Sequence, residues 1–293
     1  IALSDFGIGR IFQEGATTYN NTNPSGTIGW VAHECVDWQS LHHNGLQIPQ
    51  APQNPQARLR WKEKSDIQVA GMVTFFVATK GKHPFGAPIE RLKNLDDDNP
   101  ACLQDLSDEL LKDLLSQMLA NDLDIRPYVE QVLMHPYFLS LQEQMSFLQN
   151  VANEPEIVNF REDPRCIVSC ELDNRSQSTP RSSLIPNNWK QAIGLSDFDI
   201  LRAGGHLEYN GERYTRCLRL IRNVLQHPNG KLDQLKSSGR QATSLEEYFS
   251  QMFPCLPLVV YQIIRKNSAW KERPALSALF PMINRREATD ENN

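Results

Sequence analysis

Residues Tyr209–Pro228 read YNGERYTRCLRLIRNVLQHP, a stretch whose apolar and polar residues separate at helical spacing. At about 100° per residue, one face collects the apolar side chains Cys217, Leu218, Leu220, Ile221, Val224 and Leu225. The opposite face carries Arg216, Arg219, Arg222, Asn223, Gln226 and His227. Because Pro228 cannot continue a helix, His227 lies in the last turn. The stretch therefore predicts a helix with a buried face and a polar face of cations, an amide and an imidazole.

This polar face suits chemistry on a phosphate. Arginine presents a forked set of donors to phosphate oxygens, and histidine exchanges a proton near neutral pH. Asn223 and His227 are four residues apart and so lie one above the other on the helix surface. A solvated basic face is the plain alternative, because charged outer faces are usual on amphipathic helices.

Composition limits the classes of protein that remain. With 293 residues, 40% hydrophobic and 22% charged, the sequence predicts a folded chain. The net charge of −5 gives no general attraction to nucleic acid, so RNA binding must come from a local basic surface. The 6 cysteines have no disulfide or zinc spacing, which favours a reducing compartment. No apolar run reaches the roughly 18 residues of a membrane span, so we expect no membrane contact by this chain.

The first half of the sequence contains a series of short motifs in a recognisable order. Asp5-Phe6-Gly7 follows a strand-like run, Ala32-His33-Glu34 comes next, and His83-Pro84-Phe85-Gly86 and Arg126-Pro127 follow. This order resembles the second half of a protein-kinase C-lobe, with histidine in place of the proline of A-P-E. The resemblance implies that Glu34 and Arg126 form a structural ion pair, and that Asp5 binds magnesium and nucleotide.

Other parts of a kinase are not in this sequence. The glycine-rich loop, the strand lysine and the catalytic loop all precede D-F-G in kinases. We therefore expect no kinase activity from this chain alone and interpret it as the C-terminal part of a longer protein. ATP or ADP with magnesium would bind the kinase-like lobe, through Asp5, only in that full-length parent.

The expected fold is mainly α, with the kinase-like helical C-lobe, without its N-lobe, followed directly by an all-helical unit. We place the partial C-lobe at residues 1–138, the second unit at residues 139–285 and a disordered tail at residues 286–293. The second unit starts with a helical pattern at Leu139–Ala152.

Behind the kinase-like half, a second set of residues carries a further resemblance. Their order in the sequence is Trp189, Tyr209, Arg222-Asn223, His227 and the run Tyr248–Pro254. This set resembles the kinase-extension nuclease (KEN) domain that is shared by RNase L and by the inositol-requiring kinase/endoribonucleases of the unfolded-protein response.

The resemblance implies metal-independent cleavage of RNA through its 2′-hydroxyl, with no metal in the nuclease site and no cofactor for the cleavage. His227 would be the acid, and Tyr209 would have a base-side or positioning role. Arg222 and Asn223 would hold the phosphate. His206 is chemically a better base than tyrosine, so it stays open as an alternative.

Partners and location follow from the same resemblance. The expected partners are RNA and the protein itself, as a homodimer or higher oligomer whose formation activates cleavage. The full-length parent would act in mRNA processing and the stress response. This region would be cytosolic, and the parent would be either soluble or anchored in the endoplasmic reticulum membrane. The rival hypotheses are a non-cleaving, pseudokinase-type dimerisation scaffold and a serine/threonine kinase in the full-length protein.

Overall fold

The computed structural model describes residues 18–21, 27–38, 59–159, 166–173, 184–203 and 208–283. These residues divide into two compact units, one that runs to Leu133 and takes in residues from Met282, and one at Met134–Pro281. The boundary falls between Leu133 and Met134, whereas the sequence placed it between residues 138 and 139. Asp5, His206 and the predicted tail at 286–293 lie outside the described residues.

The first unit is mainly helical and also contains a pair of short strands. Strand β1 at Thr18–Asn21 pairs antiparallel with β2 at Leu59–Lys62, and a 3-10 turn at His33–Cys35 lies between them in sequence. The helices are α1 Glu63–Ala78, α2 Pro88–Asp96, α3 Glu109–Met118 and α4 Val129–Leu133, with a 3-10 turn at Leu103–Asp105.

Helix α3 illustrates why these segments are helical. The carboxylate of Asp108 accepts hydrogen bonds from the backbone N–H groups of Leu110 and Leu111, so it caps two donors that would otherwise lack partners. The helix then buries apolar side chains at the spacing of one helical face, at Leu111, Leu114, Leu115 and Met118. These side chains join Met72 and Phe75 of α1 in the core of the first unit.

The ion pair between Glu34 and Arg126 is formed in the first unit. Arg126 is completely buried, and its Nη1 and Nη2 donate to the two carboxylate oxygens of Glu34 at 2.7 and 3.2 Å. The arginine also donates to the carbonyls of Ala120 and Lys64, and Ser65 donates to Glu34. This bidentate, fully hydrogen-bonded geometry is what a buried pair needs to offset its desolvation.

The described residues of the second unit form short helices and turns. The helices are α5 Leu141–Ala152, α6 Pro155–Val158, α7 Ile167–Asp173, α8 Trp189–Ile193, α9 Leu195–Arg202, α10 Tyr214–Gln226, α11 Lys231–Ser237, α12 Leu245–Met252, α13 Leu256–Arg265 and α14 Ser268–Lys271. A 3-10 turn follows at Ser277–Leu279. The predicted mainly α fold is therefore confirmed.

Helix α10 is the central helix of the second unit, as its apolar arc predicts. It packs against α5, α7, α9 and α12. The side chains that it buries include Cys217, Leu218, Leu220, Ile221 and Val224. Burial of a leucine or isoleucine of this kind contributes roughly 2 kcal/mol relative to exposure. These contacts fix the helix in place, and with it the polar residues of its other face.

Across the ranges that the structure describes, none of the helices has the length and apolarity needed to cross a membrane.

Candidate active site

Tyr209 lies in the turn before α10, where its half-buried ring packs into an aromatic cluster. The ring meets Trp189 and Phe198 edge to face, with centroids 6.2 and 6.0 Å away. Trp189 is fully buried, and its backbone N–H donates to the carbonyl of Gly211 at 3.0 Å. A Cβ on Gly211 would overlap Asn188 Oδ1, so this turn reaches α8 only because the residue is glycine.

A chain of hydrogen bonds connects Tyr209 to the polar face of α10. Asn223 Nδ2 donates to the hydroxyl oxygen of Tyr209 at 3.0 Å. Arg222 Nη1 donates to Asn223 Oδ1 at 3.1 Å, and Arg222 Nε donates to Asn153 Oδ1 at 2.8 Å. Three of the four predicted nuclease residues are therefore joined directly, although Tyr209 is 14 positions before Asn223 in the sequence.

His227 is at the C-terminal end of α10. Its backbone N–H donates to the carbonyl of Asn223 at 3.0 Å, and its side chain is exposed. At about 1.5 Å per residue, the two residues are roughly 6 Å apart along the helix axis. The C-terminus of a helix favours a positive charge, so this end of α10 suits an imidazole that donates a proton. The fourth predicted residue thus lies one turn beyond the hydrogen-bonded group.

Arg219 departs from the sequence prediction, which placed it on the polar outer face. It is 8% exposed, and its Nη1 donates to the carbonyl of Ala152 at 3.1 Å. Its Nε is buried and finds no hydrogen-bond acceptor among the described residues. Burial and the charge of Arg222 lower the pKa of Arg219, while interaction with Tyr209 opposes that shift. The site therefore contains a buried cation next to Tyr209.

Two parts of this site were missed in the sequence. Asn153 directly follows the last residue of α5, and nothing in the sequence around it indicates that it would contact Arg222. The sequence gives a weak indication that Arg219 is buried, because its neighbours Leu218 and Leu220 are both apolar and buried. The alternative base His206 lies outside the described residues, so its position relative to Tyr209 stays a prediction.

The arrangement combines the groups that chemistry on a phosphate ester requires. A hydrogen bond that is donated to a phenolic oxygen stabilises negative charge on that oxygen. The guanidinium of Arg222 is half-buried beside Asn223 and offers further donors to an anion. An exposed imidazole one turn away can deliver a proton to a leaving group.

Comparison with known proteins finds a match between the segment that contains this site and one domain-family model. Residues 144–280 match the family model described as Ribonuclease 2-5A, and Tyr209, Arg222, Asn223 and His227 all lie inside that match.

The comparisons also give similar full-length proteins. The chain is 27% identical over 270 residues to the Schizosaccharomyces pombe protein "Sensor for unfolded proteins in the ER ire1", covering 90% of this chain and 24% of the relative. It is 28% identical over 264 residues to "Serine/threonine-protein kinase/endoribonuclease IRE1a" of Arabidopsis thaliana, covering 89% and 28%. It is 27% identical over 272 residues to the human "Serine/threonine-protein kinase/endoribonuclease IRE2", covering 90% and 26%. The chain thus spans about a quarter of the length of these relatives.

Proposed function

We propose that this chain is an endoribonuclease of the IRE1 and RNase L type, because residues 144–280 match the Ribonuclease 2-5A model and 89–90% of the chain aligns with IRE1 proteins. The observation that carries the proposal is the hydrogen-bond chain from Arg222 through Asn223 to Tyr209, with His227 one turn further along α10.

The proposed reaction uses the 2′-hydroxyl of the RNA as the nucleophile. Its oxygen attacks the neighbouring phosphorus, the bond from phosphorus to the 5′-oxygen breaks, and the products end in a 2′,3′-cyclic phosphate and a 5′-hydroxyl. His227 gives a proton to the departing 5′-oxygen, and a group on the other side takes the proton of the 2′-hydroxyl. DNA has no 2′-hydroxyl and would not be cut.

In this proposal, Tyr209 acts at the 2′-hydroxyl, where a base removes the proton. Asn223 donates a hydrogen bond to the Tyr209 oxygen and fixes its position, so that as a phenolate it would take the proton of the 2′-hydroxyl. Arg222 neutralises the charge that develops on the phosphate, and Asn223 fixes the relative positions of the Tyr209 and Arg222 side chains. His206 remains the alternative base. Because side chains supply the acid, the base side and the cation, we propose that cleavage needs no metal.

Oligomerisation, nucleotide and cellular setting are further parts of the proposal. We infer that a second copy of the chain completes the RNA surface, because one face of one helix is a shallow binding site. ATP or ADP with magnesium would bind the kinase-like lobe of the full-length parent, and Asp5 is the ligand that the sequence offers. We propose that the full-length parent acts in mRNA processing in the unfolded-protein response, with this region in the cytosol. The name of one relative, a sensor for unfolded proteins in the ER, supports the stress-response part of this proposal.

The reaction class is tested with RNA stem-loops in EDTA. We expect products with cyclic phosphate and 5′-hydroxyl ends, at a rate that magnesium does not raise. We expect no cutting at a site where a single 2′-deoxynucleotide replaces the ribonucleotide, while neighbouring sites are still cut. A magnesium requirement would contradict the metal-independent proposal. Cutting at the 2′-deoxy position would contradict the proposed nucleophile, and RNA binding without cutting would favour the scaffold.

A further inference from the structure

A cavity of about 520 Å³ opens beside Tyr209, between α8, α9 and the turn before α10. Four cations line it, namely Lys190, Arg202, Arg213 and Arg216. Glu208 contributes a carboxylate, so the charged side chains among the described lining residues sum to +3 on a chain with a net charge of −5. A local positive cavity on an acidic protein points to an anionic ligand.

Phe198 holds the cations and Tyr209 in fixed relative positions. This ring is 2% exposed, with Lys190 Nζ at 4.4 Å and Arg202 Cζ at 5.9 Å from its centroid. The same ring packs edge to face against Tyr209 at 6.0 Å. Cations over an aromatic face are attracted to it, and here that attraction gathers two of them on the side of the proposed nuclease site.

The four cations differ in how strongly they interact with carboxylates of the protein. Burial raises the pKa of the Asp173 carboxyl, and interactions with Arg213 and Arg216 oppose that rise. Arg202 Nε is 3.3 Å from Asp199, but both side chains are more than half exposed, so this pair contributes little. Lys190 and Arg202 are therefore the two whose charge is most readily offered to a ligand.

We propose that this cavity binds the RNA backbone on the 5′ side of the scissile bond, an inference that rests on the proposed function. The 2′-hydroxyl belongs to the nucleotide on the 5′ side of the phosphate that is cut. If Tyr209 faces that hydroxyl, the RNA that continues 5′ from it meets the cavity whose wall Tyr209 shares.

The direction of α10 gives the same polarity. Arg216 in the cavity is near the start of the helix. His227, which directly follows the last helical residue, comes eleven residues after Arg216, about 16 Å along the axis. His227 protonates the 5′-oxygen, which belongs to the nucleotide on the 3′ side. The RNA thus runs with its 5′ part at the cavity, its scissile phosphate at Arg222 and Asn223, and its 3′ part beyond His227.

The test measures binding of RNAs that cannot be cut because the reacting 2′-hydroxyl is methylated. The probes are a dinucleotide core, the same core extended on the 5′ side, and the core extended equally on the 3′ side. We expect the 5′ extension to strengthen binding in the unaltered protein. In the Lys190→Gln, Arg202→Gln double variant this gain in affinity should be lost. The slope of log affinity against log salt concentration for the 5′-extended RNA should also become shallower by about 1.4, the value for two lost phosphate contacts on a single strand. The matched control is the Lys236→Gln, Lys271→Gln double variant, whose residues do not line the cavity.

The outcomes separate this inference from the nuclease proposal. A 5′ gain that survives in the cavity variant would overturn the inference, and so would a variant that loses the 3′ gain instead. Because the methylated probes cannot be cleaved, their binding is measured independently of the cleavage assay. The expected pattern without cleavage of unmethylated RNA would leave the RNA site standing and remove the proposed reaction.

Discussion

At the scale of single residues, the buried cation Arg219 is the least expected member of the site. A guanidinium that is 8% exposed, with Nε lacking an acceptor in the described part of the chain, is costly to keep in a folded protein. The charge of Arg219 interacts with Tyr209, so the buried guanidinium contributes to the electrostatic environment of the phenolic oxygen. We infer that Arg219 is a positioning residue that acts through Tyr209.

Substitution of Arg219 separates its role in activity from its role in stability. Arg219→Met fills the same space without charge, so the free energy of unfolding should be unchanged or higher. The rate of RNA cleavage should fall roughly tenfold, equivalent to about 1.4 kcal/mol of transition-state stabilisation. Cleavage rates and urea unfolding of the same preparations measure the two effects.

Two variants serve as controls for this prediction. Arg219→Lys keeps the charge and should recover part of kcat. Lys231→Met removes another buried cation of this unit, one that donates to the carbonyl of Ala203, and should leave cleavage unchanged. Full activity in Arg219→Met would show that the arginine serves only the fold.

The sequence predicted more of the site chemistry than of its contacts. The helical spacing singled out Arg222, Asn223 and His227, and the resemblance to the KEN domain added Tyr209 and implied the roles of all four, which stay predictions. The contact of Asn153 with Arg222 depends on how α5 packs against α10, and no local pattern encodes that packing. We predicted an exposed Arg219, because a charged residue at the border of the apolar face of a helix is usually exposed.

At the scale of elements, the first unit depends on an ion pair that connects distant parts of its chain. Glu34 comes from the 3-10 turn at His33–Cys35, and Arg126 comes from the segment between α3 and α4, 92 positions later. The order of motifs predicted this pair, and the periodicity of α10 predicted that helix. The strand β2 was not predicted, because the sequence from Trp38 to Lys64 shows neither helical nor strand periodicity.

Breaking this pair from one side should destabilise the first unit. Glu34→Gln leaves the buried guanidinium of Arg126 without its counter-charge, and we expect a loss of about 3–5 kcal/mol. Hydrogen exchange of the α1 and α3 backbone amides under native conditions measures the loss within this unit.

The controls use a second substitution and a second ion pair. Adding Arg126→Met to Glu34→Gln should recover part of the lost stability, because the stranded charge is removed. The exposed pair of Lys82 and Asp105 provides the comparison, and Asp105→Asn should cost less than about 1 kcal/mol. Equal effects of Glu34→Gln and Asp105→Asn would contradict the structural role of the buried pair.

At the scale of the whole molecule, we propose that an acidic chain binds RNA through a local basic surface. The net charge of −5 gives no general attraction to RNA, so we assign binding to the cavity beside Tyr209 and to the polar face of α10. The mainly α architecture and the match of residues 144–280 to the Ribonuclease 2-5A model agree with the resemblance carried by the motif order. The 5′ cavity could not be predicted from the sequence, because Lys190 and Arg202 meet Tyr209 only through the packing of α8 and α9 around Phe198.

The central claim, an endoribonuclease that uses His227 as its acid and works as a dimer, is tested most directly by one measurement. Cleavage of a fluorescent RNA stem-loop is followed in EDTA over a series of protein concentrations, for the unaltered chain, His227→Ala and Gln226→Ala. Gln226 is the exposed neighbour of His227 at the end of α10 and serves as the matched control.

We expect a rate that rises faster than linearly with protein concentration. It should be retained in Gln226→Ala and reduced by at least about a hundredfold in His227→Ala, the usual contribution of a general acid. Cleavage that survives in a folded His227→Ala variant would contradict the assignment of the acid. No cleavage by a folded and demonstrably dimeric unaltered chain would contradict the claim that it is a ribonuclease.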